Sequence, residues 1–305
     1  MIEPAYLFFE AATYILFALC LWHAARHHGR YRVLELVMTL GYGVLLEWAT
    51  MRQMESYHYG RFLIMIDNAP LPIGMGWAVI IYSAMEFTAR LKLPDYARPF
   101  LNGLLALNID LAMDAVAIRL LDTVNNQQGM WTWTIPLDQE WFGVPWGNFW
   151  GWFIVVTSFS GFLYLLRRWR DHRVGGWLYV PLALVLSVAT LMLLDQIYGS
   201  VLYPNGLGFV GPAVLIGGGA VLVLASRPRV ERAGPPEPVV ITVPLAFHLI
   251  FIFLALVQGI YTALPVLAVI GAAMLLVGAA AHLWPWWVAR QQAQASVQQH
   301  SSGVA

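Results

Sequence analysis

Charge is what this 305-residue chain has least of: 11% of its residues are Asp, Glu, Lys or Arg, against 59% hydrophobic ones. A soluble domain carries roughly a quarter charged residues, so the composition is that of a membrane protein. The 17 cations and 17 anions cancel, and nothing points to nucleic acid or to an acidic partner. Cysteine is nearly absent. The single Cys20 excludes an intrachain disulfide and a thiolate metal cluster. No Gly-rich loop follows a strand, so there is no nucleotide signature either.

What the chain has in abundance is apolar sequence. Nine windows of the roughly 20 residues that a spanning helix needs can be placed, at about 5–24, 33–54, 71–91, 99–121, 145–166, 176–197, 206–225, 241–261 and 264–284. The last two are joined so closely, at Thr262 to Pro265, that eight spans is the alternative count. The expected fold is all-α: a polytopic transmembrane helix bundle forming one domain over 1–290, with 291–305 a disordered polar tail rich in Gln and Ser. The first window has Glu3 ahead of it and Arg26, Arg30 and Arg32 behind it, the reverse of a signal peptide.

Lys and Arg divide unequally between the two sides of such a bundle. Fourteen of the 17 fall in the odd-numbered connections and the tail; only Arg52, Arg61 and Arg119 lie opposite. The positive-inside rule then places the N-terminus outside and the C-terminus in the cytoplasm of a multi-pass protein of the cytoplasmic membrane. In that orientation Glu10, Glu47, Asp110, Asp114 and Asp195 all fall in the outer half of the membrane. Ionisable groups at that depth face the bundle interior or a wet cavity, and five on one level suggest a lined cavity. Glu86, near the inner end and four residues before Arg90, reads as an interfacial ion pair.

Asp110 and Asp114 share a helical face at i,i+4 spacing. Two carboxyls so close in apolar surroundings cannot both ionise cheaply, and a pair that holds a proton is what a general acid requires. The bland reading is a polar stripe at the outer surface. A tryptophan-rich loop follows, with Trp131, Trp133 and Trp141, and then a helix opening with Asn148 and Trp152. Most of the 14 tryptophans suit interfacial belts; the clustering between 131 and 152 stands above that background. Tyr57, His58, Tyr59 and Gly60 could equally be such a belt or the lid of a cavity above Glu47. The spacing of His23, His27 and His28 resembles one histidine box of membrane di-iron oxygenases, but His58, His172, His248, His282 and His300 form no second box. The three are read as part of a basic cytoplasmic collar. Glycines 217–219 read as close helix packing, and 227–240 as a cytoplasmic linker. The NIDLAMD run resembles one Asp-rich motif of membrane prenyltransferases, which use two; Asp195 has no acidic partner one turn away.

Glu47 followed by YHYGRF at 57–62, Asp114 in DAVA, and WTW at 131–133 followed by GVPWGNFWGW at 143–152 together carry a resemblance. Over roughly residues 40–165 the chain resembles the integral-membrane carotenoid biosynthesis family that includes the carotenoid 1,2-hydratase and bisanhydrobacterioruberin hydratase type, which act on acyclic ψ-ends. Ala115, where the family has proline, and Trp146, Gly147 and Trp150 depart from its pattern. The resemblance implies acid-catalysed hydration of the terminal double bond of an acyclic carotenoid, a hydro-lyase needing no cofactor. It implies Asp114 as acid, tuned by Asp110, and Glu47 as water-orienting base, with the acid and base roles open to exchange. Trp131, Trp133 and Trp152 would line the polyene channel, with Tyr57, Tyr59, Asn148 and Asp195 completing the binding surface. Its partners would be the lipophilic carotenoid, the lipid bilayer and other carotenoid-biosynthesis enzymes. Three alternatives stay open: a carotene cyclase or isomerase using the same acid, a UbiA-like prenyltransferase, and a non-catalytic lipid- or pigment-binding protein.

Overall fold

Without water to satisfy backbone groups, a lipid-embedded chain must satisfy them within its own helices. In the computed structural model, residues 2–54, 57–122, 127–134, 140–172, 174–235 and 237–302 are described. The fold is an all-α polytopic bundle. Among the described residues the long helices are α1 (Pro4–His23), α2 (Arg30–Met54), α3 (Leu71–Thr88), α4 (Arg98–Ala117), α5 (Trp146–Leu166), α6 (Gly175–Ile197), α7 (Val210–Ala225), α8 (Pro238–Val257) and α10 (Pro265–Ser302). A single turn, α9 (Ile260–Ala263), joins the last two. Prolines sit at the starts of α1, α3, α4 and α8, where the missing N–H costs nothing.

Eight of these helices have the length and hydropathy of a membrane span, and α7 has only 16 residues. Its connections nevertheless carry it from one end of the bundle to the other. Before it, Phe209 packs edge-on against Trp146 at the start of α5, with ring centroids 4.8 Å apart. After it, Arg229–Val230 pairs with Leu91–Lys92 in the α3–α4 connection, at the opposite end. At about 1.5 Å per residue α7 covers roughly 24 Å, and the flanking segments complete the passage. The bundle therefore makes nine passes among the described residues, and its N- and C-terminal helices end on opposite sides. From Gln291 onward, where an irregular tail is expected, α10 continues as helix to Ser302. Ala and Gln are good helix formers, and they extend a helix that is already nucleated.

The end of the bundle richer in arginine is closed by ion pairs. Arg32 bridges Glu35 and Glu86, Arg167 donates to both Glu35 oxygens at 2.9 and 2.7 Å, and the Tyr179 hydroxyl donates to Glu35 Oε1 at 2.8 Å. This network ties α2, α3, α5 and α6 together. It corrects one expectation: Glu86 pairs with Arg32 and His28 rather than with Arg90. The Arg90 guanidinium instead donates to the carbonyls of Arg232, Gly234 and Pro235. The glycine run of α7 contributes only in part, since a Cβ at Gly219 would meet Phe153 at 2.6 Å while Gly217 and Gly218 face open space.

Two close approaches position the other end. A Cβ on Gly43 would lie 3.0 Å from Gly74 Cα, so α2 and α3 touch backbone to backbone, and about one turn further along they carry Glu47 and Trp77. A Cβ on Gly103 would meet Phe153 at 2.8 Å, bringing α4 against α5, and further toward the cavity end Asp110 and Asp114 face Asn148. Small residues permit this where lipid supplies no hydrophobic drive.

Candidate active site

At the arginine-poor end, a cavity of about 180 Å³ lies among α1, α2, α3, α4, α5, α6 and α8. Its lid is a two-stranded ribbon. Tyr57–Tyr59 pairs antiparallel with Trp131–Trp133 in the register Tyr57 to Trp133 and Tyr59 to Trp131. The α2–α3 and α4–α5 connections are thus one structure, and the aromatic segment 57–60 is a lid and not a belt. Alternation along the strands turns Tyr57 and Tyr59 inward and leaves His58 exposed. Buried anchors hold the lid down. The Gly60 N–H donates to Met130 O at 2.8 Å, and the Tyr6 hydroxyl donates to Gly129 O at 2.5 Å. Gly129, with φ +90°, takes a backbone conformation that other residues rarely adopt.

Glu47 is 4% exposed and has three donors. The Tyr57 and Tyr59 hydroxyls donate to Oε2 at 2.5 and 2.7 Å, and Trp77 Nε1–H donates to Oε1 at 2.7 Å. Burial, with the Glu47 carboxylate beside them, holds both phenols well above the ordinary tyrosine range, so both stay protonated as donors. Across the cavity, Asn148 Nδ2 donates to Asp110 Oδ2 at 3.1 Å and to Asp114 Oδ2 at 2.7 Å. Each aspartate keeps a buried Oδ1 without a donor among the described residues, and the two sit one helical turn apart on α4. A proton on either carboxyl would supply a donor there, because a protonated carboxyl donates where a carboxylate only accepts.

The structure gathers nearly all the residues singled out in the sequence. Glu47, Tyr57, Tyr59, Asp114, Trp131, Trp133, Asn148, Trp152 and Asp195 line the cavity. Asp110 does not line it; fully buried, it lies behind Asp114 and reaches the site through Asn148. Glu10 is separate. It accepts the backbone N–H groups of Leu63 and Ile64 at 2.8 and 3.1 Å and the Tyr14 hydroxyl, and so fixes the segment that leads from the lid to α3. Trp141 is also outside the wall; its Nε1–H donates to Leu111 O at 3.3 Å.

Sequence reasoning missed Trp77. Besides holding Glu47, its ring packs on Trp152 with centroids 4.2 Å apart. The available signal was an indole inside an apolar window, away from either interface. Phe9, Phe247, Met113 and Tyr198 also line the wall, and they could not be separated from core residues by pattern alone.

This arrangement can do acid–base chemistry on an apolar substrate: two buried carboxyls joined by one amide, a third carboxyl facing three donors, and aromatic faces between them. No curated protein and no solved structure matches the chain. The model of one protein family, described as carotenoid biosynthesis protein, matches residues 4–216. An apolar cavity inside a membrane bundle is the setting such a lipophilic substrate requires, and this integral-membrane chain belongs to the carotenoid biosynthesis protein family.

Proposed function

We propose that the protein hydrates the terminal trisubstituted double bond of an acyclic carotenoid. The observation that carries this reading is the pairing of opposites across one aromatic cavity: Asp110 and Asp114, joined by Asn148 and each with a buried Oδ1 that has no donor among the described residues, and Glu47 with its oxygens occupied by three donors. Asp114, which faces the cavity, delivers the proton to the less substituted alkene carbon. The electron pair of the double bond forms the new C–H bond and leaves a tertiary cation on the neighbouring carbon. The faces of Trp77, Trp131, Trp133 and Trp152 stabilise that cation. Water adds to the cation, and Glu47 takes the proton that the water loses. The proton then returns to the aspartate pair, so the net reaction is alkene plus water giving a tertiary alcohol.

Hydrogen bonding supports the assignment of roles. A carboxylate that already accepts from two phenols and an indole is arranged for its ionised form, which suits a base. Asp110 and Asp114 have a single amide donor between them, which suits an acid. Trp133, on the cavity wall, keeps a buried Nε1–H without a partner among the described residues, and that donor is available to water or to the product hydroxyl. The arginine-rich end faces the cytoplasm under the positive-inside rule, so the cavity lies toward the outer leaflet of the cytoplasmic membrane.

Expression in a host that accumulates an acyclic carotene tests the reading directly. A product heavier by one water supports hydration. An unchanged mass with shifted absorption identifies a cyclase or isomerase, a gain of an isoprene unit identifies prenyl transfer, and no change identifies a binding protein. In heavy water, protonation places non-exchangeable deuterium on the carbon next to the new alcohol. A product without carbon-bound deuterium refutes general-acid attack on the double bond.

A further inference from the structure

The end of the bundle opposite the cavity holds three histidines that the proposed reaction does not use. His27 and His28 are exposed, as a collar at this end requires, but His23 is not. His23 is 1% exposed. Residues five apart do not share a face of an α-helix, but α1 ends in a widened turn, Ala24–His28, with i to i+5 bonding. That turn brings His28 back over His23, beside His27 at the ordinary i,i+4 spacing, with ring centroids 5.4 and 4.8 Å from His23. Gly29 closes the turn at φ +77°, a conformation suited to glycine.

Glu237, the residue before α8, reaches into the same place. Its Oε2 lies 2.8 Å from His23 Nε2, an ion pair when the imidazole is protonated, although the angle for a hydrogen bond is not met. The other nitrogen, Nδ1, is 2.8 Å from the Tyr82 hydroxyl. If Nδ1–H donates to Tyr82, Nε2 presents a lone pair to a carboxylate oxygen at 2.8 Å. Two acceptors at that separation repel unless a positive charge lies between them. Donor atoms of His23, His28 and Glu237 all lie within 4.8 Å of one another. His28 is further steadied by Glu86, whose Oε2 is 3.0 Å from its Nε2.

We propose that His23, His28 and Glu237 form a binding site for a divalent transition-metal ion of the zinc class, clamping the α7–α8 connection to the end of α1. Two imidazoles and a carboxylate suit that borderline metal. Tyr82 takes the place of the outer partner that orients a metal-bound imidazole. Ligand atoms around tetrahedral zinc sit roughly 3.4 Å apart. The His23–Glu237 contact, at 2.8 Å, therefore opens on binding while the wider separations within the 4.8 Å cluster close, and Glu237, 46% exposed, is free to make that movement.

The test uses the full chain in detergent, carrying no histidine tag, stripped with a chelator and titrated with Zn²⁺ and separately with Co²⁺. The expected results are one ion per chain, the visible absorption of four-coordinate Co²⁺, and a rise in melting temperature. His28→Ala and Glu237→Gln should each weaken binding by about 10- to 100-fold or more, and Tyr82→Phe by a smaller factor. Because His23 is buried and its variants can unfold, His28 and Glu237 are the positions that decide the matter, with metal-free melting as the control for folding. Zinc binding no tighter in the wild type than in the His28→Ala, Glu237→Gln double variant overturns the site and leaves an ion pair in its place. Either result is independent of the reaction in the cavity, since no step of it passes through this end of the bundle.

Discussion

Replacing Glu47 separates its structural role from its chemical one. Glu47 Oε2 accepts from Tyr57 and Tyr59, and Oε1 from Trp77. In Glu47→Gln the amide oxygen can keep the indole, whose N–H can only donate. The amide –NH₂ then falls against two phenols, whose oxygens can turn and accept. Each of the three partners keeps one hydrogen bond, although the two phenol O–H groups lose the carboxylate they donated to, and the cost is the difference between charge-assisted and neutral hydrogen bonds, about 1–2 kcal/mol. In Glu47→Ala, three buried donors lose their acceptor at about 1–3 kcal/mol each, or roughly 3–9 kcal/mol in all. That is comparable with the whole stability of a typical domain, about 5–15 kcal/mol. The alanine variant is therefore expected to fail to accumulate or to melt far below the wild type. The glutamine variant is expected to fold, extract and melt nearly as the wild type while its turnover falls about 10²–10⁴-fold, the usual loss on removing a positioned base. Conversion of an acyclic carotene to its hydrate, measured by product mass per mole of extracted protein, reads the chemistry; a melting curve in the same detergent reads the structure. Near-wild-type turnover in Glu47→Gln refutes the base, and a Glu47→Gln as unstable as Glu47→Ala refutes the hydrogen-bond argument.

Four further outcomes follow from the same geometry. Asp114→Asn should lose turnover by about 10²–10⁴-fold with a normal melting temperature. Asp110→Asn should lose less, because Asp110 does not line the cavity; equal activity of Asp114→Asn and wild type refutes the acid. Asn148→Leu removes the one donor common to both aspartates and should lower both stability and turnover, whereas Asn148→Asp, which adds a third carboxyl, should be the worse of the two on a melting curve. Tyr57 and Tyr59 are held well above the ordinary range by burial. Their neutral phenols therefore contribute stability in full below about pH 10, and this is lost as pH rises through the elevated folded values; a tyrosinate absorbance difference between wild type and Tyr57→Phe, Tyr59→Phe while both remain folded refutes this. After Cys20→Ala, cysteines at His58 and Asp67 should label from outside intact cells and cysteines at Asp95 and Asp171 only after permeabilisation. Gly60 is unsuitable for this, since a Cβ there meets Tyr6 at 2.7 Å.

Residue pattern alone gave the class of fold and the cavity's acids with several of its aromatic residues. Length and hydropathy are sufficient for spans because a lipid-embedded backbone has few alternatives: all nine windows correspond to helices, eight of them within a few residues at both ends, while α10 runs on past 284 to Ser302. Acids inside such spans are costly enough to mark a site, and so Glu47, Asp114 and Asp195 were legible as one group. Pattern could not say which acid serves which end. Glu10, at the same depth, holds two backbone N–H groups instead, because the direction of a side chain depends on helix rotation, and rotation is set by packing. Nor could it place α7 as a full pass, since 16 residues are short for a span and only the contacts at both ends, Phe209 on Trp146 and Val230 against Leu91, show the crossing. The pairing of Tyr57–Tyr59 with Trp131–Trp133 joins segments more than 70 positions apart and leaves no local trace. Trp77 on Glu47 and His23 against Glu237 are likewise products of helices meeting, since a hydrogen bond between distant residues depends on how the bundle packs and not on the spacing within either segment.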